Sequence, residues 1–174
     1  LNDIIFTLGE ERKARRIASA IVKYRKNKPI VSTFELAQIV RSAIGKNPKL
    51  KIDPATKTFQ ALRIKVNNEL GEIEKALNDA EDLLSPGARL VVICFHSLED
   101  KIVKKFIKTR SGLTANPHRH SAGIYSNSNN KSPAFKLITK KVVIANNDEI
   151  IINSRSRSAK LRAAERLNKM ENAA

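Results

Sequence analysis

The sequence predicts an α/β fold preceded by an all-helical region, and three observations predict it. Residues 10–84 carry apolar side chains at helical spacing, and Pro86-Gly87 then breaks the pattern. Residues 90–95 form a short β-rich apolar run that stops at a polar turn and restarts as an amphipathic segment. The 174 residues suffice for one domain or two small ones.

Charge sets the expected partner. Formal net charge is +16, with 33 Lys and Arg against 17 Asp and Glu, so a polyanion is expected, nucleic acid first and an anionic membrane surface second. Residues 1–52 carry net +8, 53–84 net −3, 85–110 net +4 and 111–174 net +7. An acidic stretch thus separates two basic ones, which points to a directed basic face more than to a uniformly basic tail. No apolar run approaches the ~20 residues of a membrane span, and the N-terminus lacks the pattern of a secretory signal. A cytoplasmic location is expected. The single cysteine, Cys94, can form no internal disulfide and reads as a small core residue.

The elements follow in order. A first helix runs from Glu10 to about Lys26 with Ala14, Ile17, Ala18, Ile21 and Val22 as its stripe; Arg12, Lys13, Arg15, Arg16, Lys23 and Arg25 fill much of the remainder. Ser32 and Glu35 predict a capping box for a second helix carrying Phe34, Leu36, Ile39 and Val40 and ending near Gly45. Asp53-Pro54 predicts the start of one long helix whose stripe is Phe59, Leu62, Val66, Leu70, Ile73, Leu77, Ala80 and Leu84. The run at 90–95 reads as a strand of the kind buried on both faces of a parallel sheet. Ser97 with Asp100 then predicts a second capping box, for a helix carrying Ile102, Val103, Phe106 and Ile107.

Residues 109–132 form a Ser- and Asn-rich stretch without periodicity, expected to be a long mobile loop. A strand is predicted at about 135–144, and Asn147-Asp148-Glu149 opens a helical turn. Residues 158–167 are ambiguous, because Ala, Leu, Arg and Glu favour helix while alternating basic residues also suit a strand.

Ligands of open α/β sheets sit at the carboxyl ends of strands. His96, Ser97, Glu99 and Asp100 therefore stand where chemistry could occur, although Ser97 and Asp100 equally serve a cap and Glu99 suits a helix N-terminus. Phe59 reads as core, whereas Gln60 and Arg63 lie off the apolar stripe. His118 and His120 lie two apart with no cysteine nearby, so no metal site is expected.

Four segments carry a family resemblance: Gly9-Glu-Glu-Arg12, Asp53-Pro-Ala-Thr-Lys-Thr-Phe-Gln-Ala-Leu-Arg-Ile64, Cys94-Phe-His-Ser-Leu-Glu-Asp-Lys101 and Asn153-Ser-Arg-Ser-Arg-Ser-Ala-Lys-Leu-Arg-Ala-Ala-Glu-Arg166. In this order they resemble the bacterial small-subunit (16S) ribosomal RNA cytosine-N4 methyltransferase family, the MraW family. The departures are mild: Pro86-Gly-Ala-Arg89 stands for Pro-Gly-Gly-Arg, Cys94 for Ser, Lys101 for Arg, Asp53 for His and Ser154 for Pro. The family's glycine-rich cofactor loop, acidic ribose-binding residue and Asp-Leu-Gly-Val-Ser-Ser segment have no match, so the chain resembles the C-terminal part of such an enzyme and is expected to be inactive alone.

The resemblance implies that residues 1–82 form a mainly helical substrate-recognition insertion and 83–174 the distal half of a Rossmann-like class I methyltransferase sheet, with 158–167 as a strand. It implies S-adenosylmethionine as cofactor, held by residues outside this chain, and 16S ribosomal RNA or the small ribosomal subunit as partner. Cytosine's exocyclic amine is a weak nucleophile and needs acceptors that orient it and take its proton. His96, Ser97 and Asp100 are the candidates for that work. Arg12, Arg15, Arg16, Gln60, Arg63, Arg155, Arg157, Lys160 and Arg162 are the candidates for RNA contact, where guanidinium and ammonium groups neutralise phosphates. A non-enzymatic RNA-binding or ribosome-assembly module is the alternative, and a basic protein binding RNA without preference is a further one. Homo-oligomerisation stays open.

Overall fold

Ile5, Ile17, Ile21, Val40 and Ile44 lie on three separate segments, and burying them together assembles the first part of the chain. Each fully buried Ile contributes roughly 2 kcal/mol. The computed structural model describes residues 1–45, 52–113 and 133–168, and the chain divides into two compact units, Leu1–Glu69 and Leu70–Ala174.

In the first unit pack α1 (Asn2–Gly9), α2 (Ala14–Asn27), α3 (Thr33–Ile44) and α4 (Thr56–Asn67). The sequence reading started the first helix at Glu10 and did not foresee α1, which ends there because Glu10 adopts a left-handed conformation, φ 47°. Gly9 lets α1 lie against α4, since a Cβ there would sit 2.6 Å from the Lys57 carbonyl oxygen. Helix α2 buries Ala14, Ile17, Ala18 and Ile21, most of its predicted stripe.

Helix α3 is capped as expected by Ser32, whose Oγ accepts the Glu35 amide at 3.1 Å. The box is only half made, because the Glu35 carboxylate accepts from the Tyr24 hydroxyl and the Val31 amide instead. Phe34 is not core: it is 69% exposed. The stripe that meets the core runs through Ala37, Val40, Ala43 and Ile44, and Phe34 shares a different face with Gln38.

The long helix predicted from Asp53 is two helices. Asn68 turns left-handed, φ 52°, and ends α4 before α5 (Glu69–Leu83) begins. Val66 is consequently exposed, and Thr58, Ala61 and Ile64 are the buried positions of α4. Phe59 packs at the edge of the first core. The units divide earlier than the sequence boundary at 82, because Ile73, Leu77 and Leu84 pack with the second core.

That second core joins Leu77 to Cys94, Val103, Ile107, Phe135 and Ala164. Its elements after α5 are β1 (Arg89–Cys94), α6 (Ser97–Arg110), β2 (Phe135–Leu137), β3 (Val143–Ile144), α7 (Asn147–Ile152), a 3-10 turn at Ser154–Ser158, and β4 (Lys160–Arg166). The ambiguous segment is a strand, as the resemblance implied. It pairs antiparallel with β1 on one side, from Arg89↔Glu165 to Cys94↔Lys160, and with β2 and β3 on the other. Hydrogen-bonded partners on both edges override helix propensity.

Strand β1 differs from the prediction in two ways. Its pairing is antiparallel, and one face is bare, with Val91 53% and Ile93 54% exposed, while Leu90, Val92 and Cys94 point to the α6-covered core. The strand predicted at 135–144 is interrupted into β2 and β3. Helix α6 runs through Arg110; residues 114–132 of the predicted loop lie outside the described residues.

Candidate nucleic-acid interface and the turn after β1

The turn between β1 and α6 is closed by its own side chains. His96, in extended conformation, is the N-cap: its Nδ1 accepts the Glu99 amide at 3.4 Å, and Glu99 Oε2 accepts the Phe95 and His96 amides at 2.7 and 3.2 Å. The predicted Ser97–Asp100 box is therefore shifted by one residue. His96 Nε2 lies 3.2 Å from Glu99 Oε1. The Asp100 amide is bonded too, to the His96 carbonyl at 3.2 Å. Ser97 sits in the first turn of α6.

Asp100 is released from capping and serves tertiary structure. Arg162, on β4 opposite Val92, donates to both its carboxylate oxygens at 2.7 and 3.2 Å. Both side chains are nearly buried, 12% and 14% exposed. The hydrogen bond from Arg162 is the main force holding the Asp100 carboxyl below the usual carboxylate range, with burial opposing it. A predicted catalytic residue and a predicted RNA contact are thus brought together as each other's partner. Lys160 is half-buried on the same strand, and Arg155 and Arg157 are exposed on the 3-10 turn before it. Behind the turn, burial pushes the Cys94 thiol up to about 11, as suits a core residue.

The other candidates lie in the first unit. Arg12, Arg15 and Arg16 are exposed and, with Lys13 and Lys23, line a shallow groove along α2. Gln60 is half-buried on α4. Arg63 is drawn into an ion pair with Glu69, 2.7 Å from Nε to Oε1. Lys23 was among the basic residues expected on this helix; what sequence reasoning missed is Glu99 as the residue that closes the turn. The His-x-x-Glu spacing carried that signal, since it matches the N-cap and third helical positions one residue before the Ser-x-x-Asp reading.

No group of His, Cys, Asp and Glu able to hold a metal occurs among the described residues, and His118 and His120 lie outside them. No helix among the described residues is long and apolar enough to cross a membrane.

Comparison with known proteins adds a lineage to this geometry. The MraW methylase family matches residues 1–167. Ribosomal RNA small subunit methyltransferase H of Methylorubrum extorquens is 49% identical over 169 residues, 95% of this chain and 46% of that protein. The protein of the same name from Acidiphilium cryptum is 48% identical over 96% of this chain and 53% of its own length. That of Caulobacter vibrioides is 45% identical over 95% of this chain and 52% of its own. The chain spans about half the length of the curated relatives it matches. With every described element inside the matched range, this chain belongs to the MraW methylase family.

Proposed function

We propose that this chain contributes RNA recognition to an S-adenosylmethionine-dependent methyltransferase acting on the N4 of a cytosine in 16S ribosomal RNA. The observation that carries the reading is the 45% to 49% identity, along nearly the whole chain, to relatives named ribosomal RNA small subunit methyltransferase H. The exposed cations of α2 support it, because an RNA substrate is held first through its phosphates. In this reading the first unit is the substrate-recognition insertion and works in the cytoplasm.

The sheet supports a Rossmann-like origin for the second unit. Strands β1 and β2 are each antiparallel to β4, so they run parallel to one another, with α6 between them in sequence. Such a β-α-β crossover is the unit from which doubly wound sheets are built.

S-adenosylmethionine supplies an electrophilic methyl group. The turn after β1 does not fit it, because the Phe95, His96, Glu99 and Asp100 amides are already bonded within the turn. His96, Ser97 and Asp100 act here as positioning residues: His96 and Asp100 fix the start of α6 against β4, and Ser97 rides on that start. Arg155, Arg157 and Lys160 are the second group of phosphate contacts; Arg162 contributes through Asp100.

The test is mass-spectrometric mapping of small-subunit ribosomal RNA from cells with and without the gene encoding this chain. Loss of a methyl group from one cytosine is the expected result. An unchanged methylation map together with defective subunit assembly would favour the non-enzymatic module.

A further inference from the structure

Two hollows of the first unit meet between α2 and α3. Ala20 and Ala43 belong to the lining of both, so the two hollows adjoin across these small side chains. One hollow is basic, with Arg12, Arg16 and Lys23 on its wall. The other is mostly apolar, with Val31 and Phe34 on its wall, 81% and 69% exposed. Glu35 also lines it; its carboxylate accepts from the Tyr24 hydroxyl and the Val31 amide, and Lys28 Nζ, 3.6 Å away, offsets part of its charge.

We propose that this trough binds single-stranded RNA, with Phe34 stacking on an unpaired base and the α2 cations taking the adjoining phosphates. The proposal deepens the RNA-methyltransferase reading and rests on it. An exposed aromatic beside cations matches a ligand that is flat and apolar at one point and anionic at the next, which describes a nucleotide. Duplex RNA keeps its bases stacked on one another and cannot offer a base face to Phe34. Gln38, one helical turn after Phe34 and exposed in the same hollow, presents an amide to the edge of that base.

Fluorescence anisotropy of the 174-residue chain with a short labelled RNA free of self-complementarity tests this. The single strand binds more tightly than a duplex of the same sequence. Phe34→Ala weakens binding about tenfold without changing its salt dependence, and Phe34→Tyr restores it. Arg16→Gln lowers the salt slope by about 0.7. Phe34 is exposed, so its loss leaves the fold intact, which circular dichroism checks. Equal binding by the parent and Phe34→Ala overturns the trough; if Arg16→Gln is still weakened, RNA recognition stands without it. Competition by polyglutamate or anionic vesicles as effective as that of RNA also overturns it. No binding of RNA by the folded parent removes both the trough and the reading beneath it.

Discussion

Arg162 of β4 grips Asp100 of α6 through two hydrogen bonds, 2.7 and 3.2 Å long, and so ties the last strand of the sheet to the helix that follows the first. Both residues sit in segments that carry the family resemblance, yet in the folded chain each one's first partner is the other. The pair links the start of α6, and with it the β1–α6 turn, to β4.

Arg162→Leu is expected to destabilise the second unit by about 2–3 kcal/mol, because it leaves a nearly buried carboxylate without its cation. Urea denaturation followed by circular dichroism reads this. The double variant Arg162→Leu, Asp100→Leu should recover part of the loss, since no charge is then left unpaired.

The pair also fixes a pH dependence. Asp100's folded value lies below the ordinary 3.8, so its contribution is complete above that value and fades as pH falls through it. The stability gap between the parent and Asp100→Asn is expected to be flat at neutral and mildly acidic pH and to narrow below pH 3.8. A gap that widened on acidification would contradict the pairing.

At the turn, Glu99→Ala removes the acceptor of two backbone amides and is expected to cost about 1–2 kcal/mol. His96→Asn keeps an N-cap acceptor and should change stability by less than about 0.5 kcal/mol. Chemical denaturation of the two variants side by side separates these outcomes.

Cys94 is buried with its thiol pushed up to about 11, so a thiol-reactive reagent at mildly alkaline pH should leave the folded chain unlabelled. Labelling should become stoichiometric in urea. Rapid labelling of the native chain would place Cys94 outside the core.

How much of this was legible in the sequence depended on how local each signal was. The stripe of α2, the Ser32 cap and the strand before Cys94 rest on spacing alone, and they formed where expected. The break at Asn68 was hidden because Val66 and Leu70 continue an apolar rhythm across it. Strand β4 could not be read from propensity, because what makes it a strand is the hydrogen-bonding edge of β1, some seventy residues earlier. The cap misassignment had the same root: Asp100 fits the third residue of a box, and only Arg162, distant in sequence, draws it away. Of the candidate RNA contacts, Arg12, Arg15 and Arg16 are exposed, as their place off the apolar stripe implied, but the ion pairing of Arg63 and Arg162 needed the fold.

The most direct test of the division of labour proposed here is titration calorimetry of S-adenosylmethionine into the folded 174-residue chain. Since the amides of the β1–α6 turn are bonded internally, the expected result is no heat of binding from a chain whose circular dichroism shows it folded. Saturable one-to-one binding would contradict it and would place a cofactor pocket within these residues.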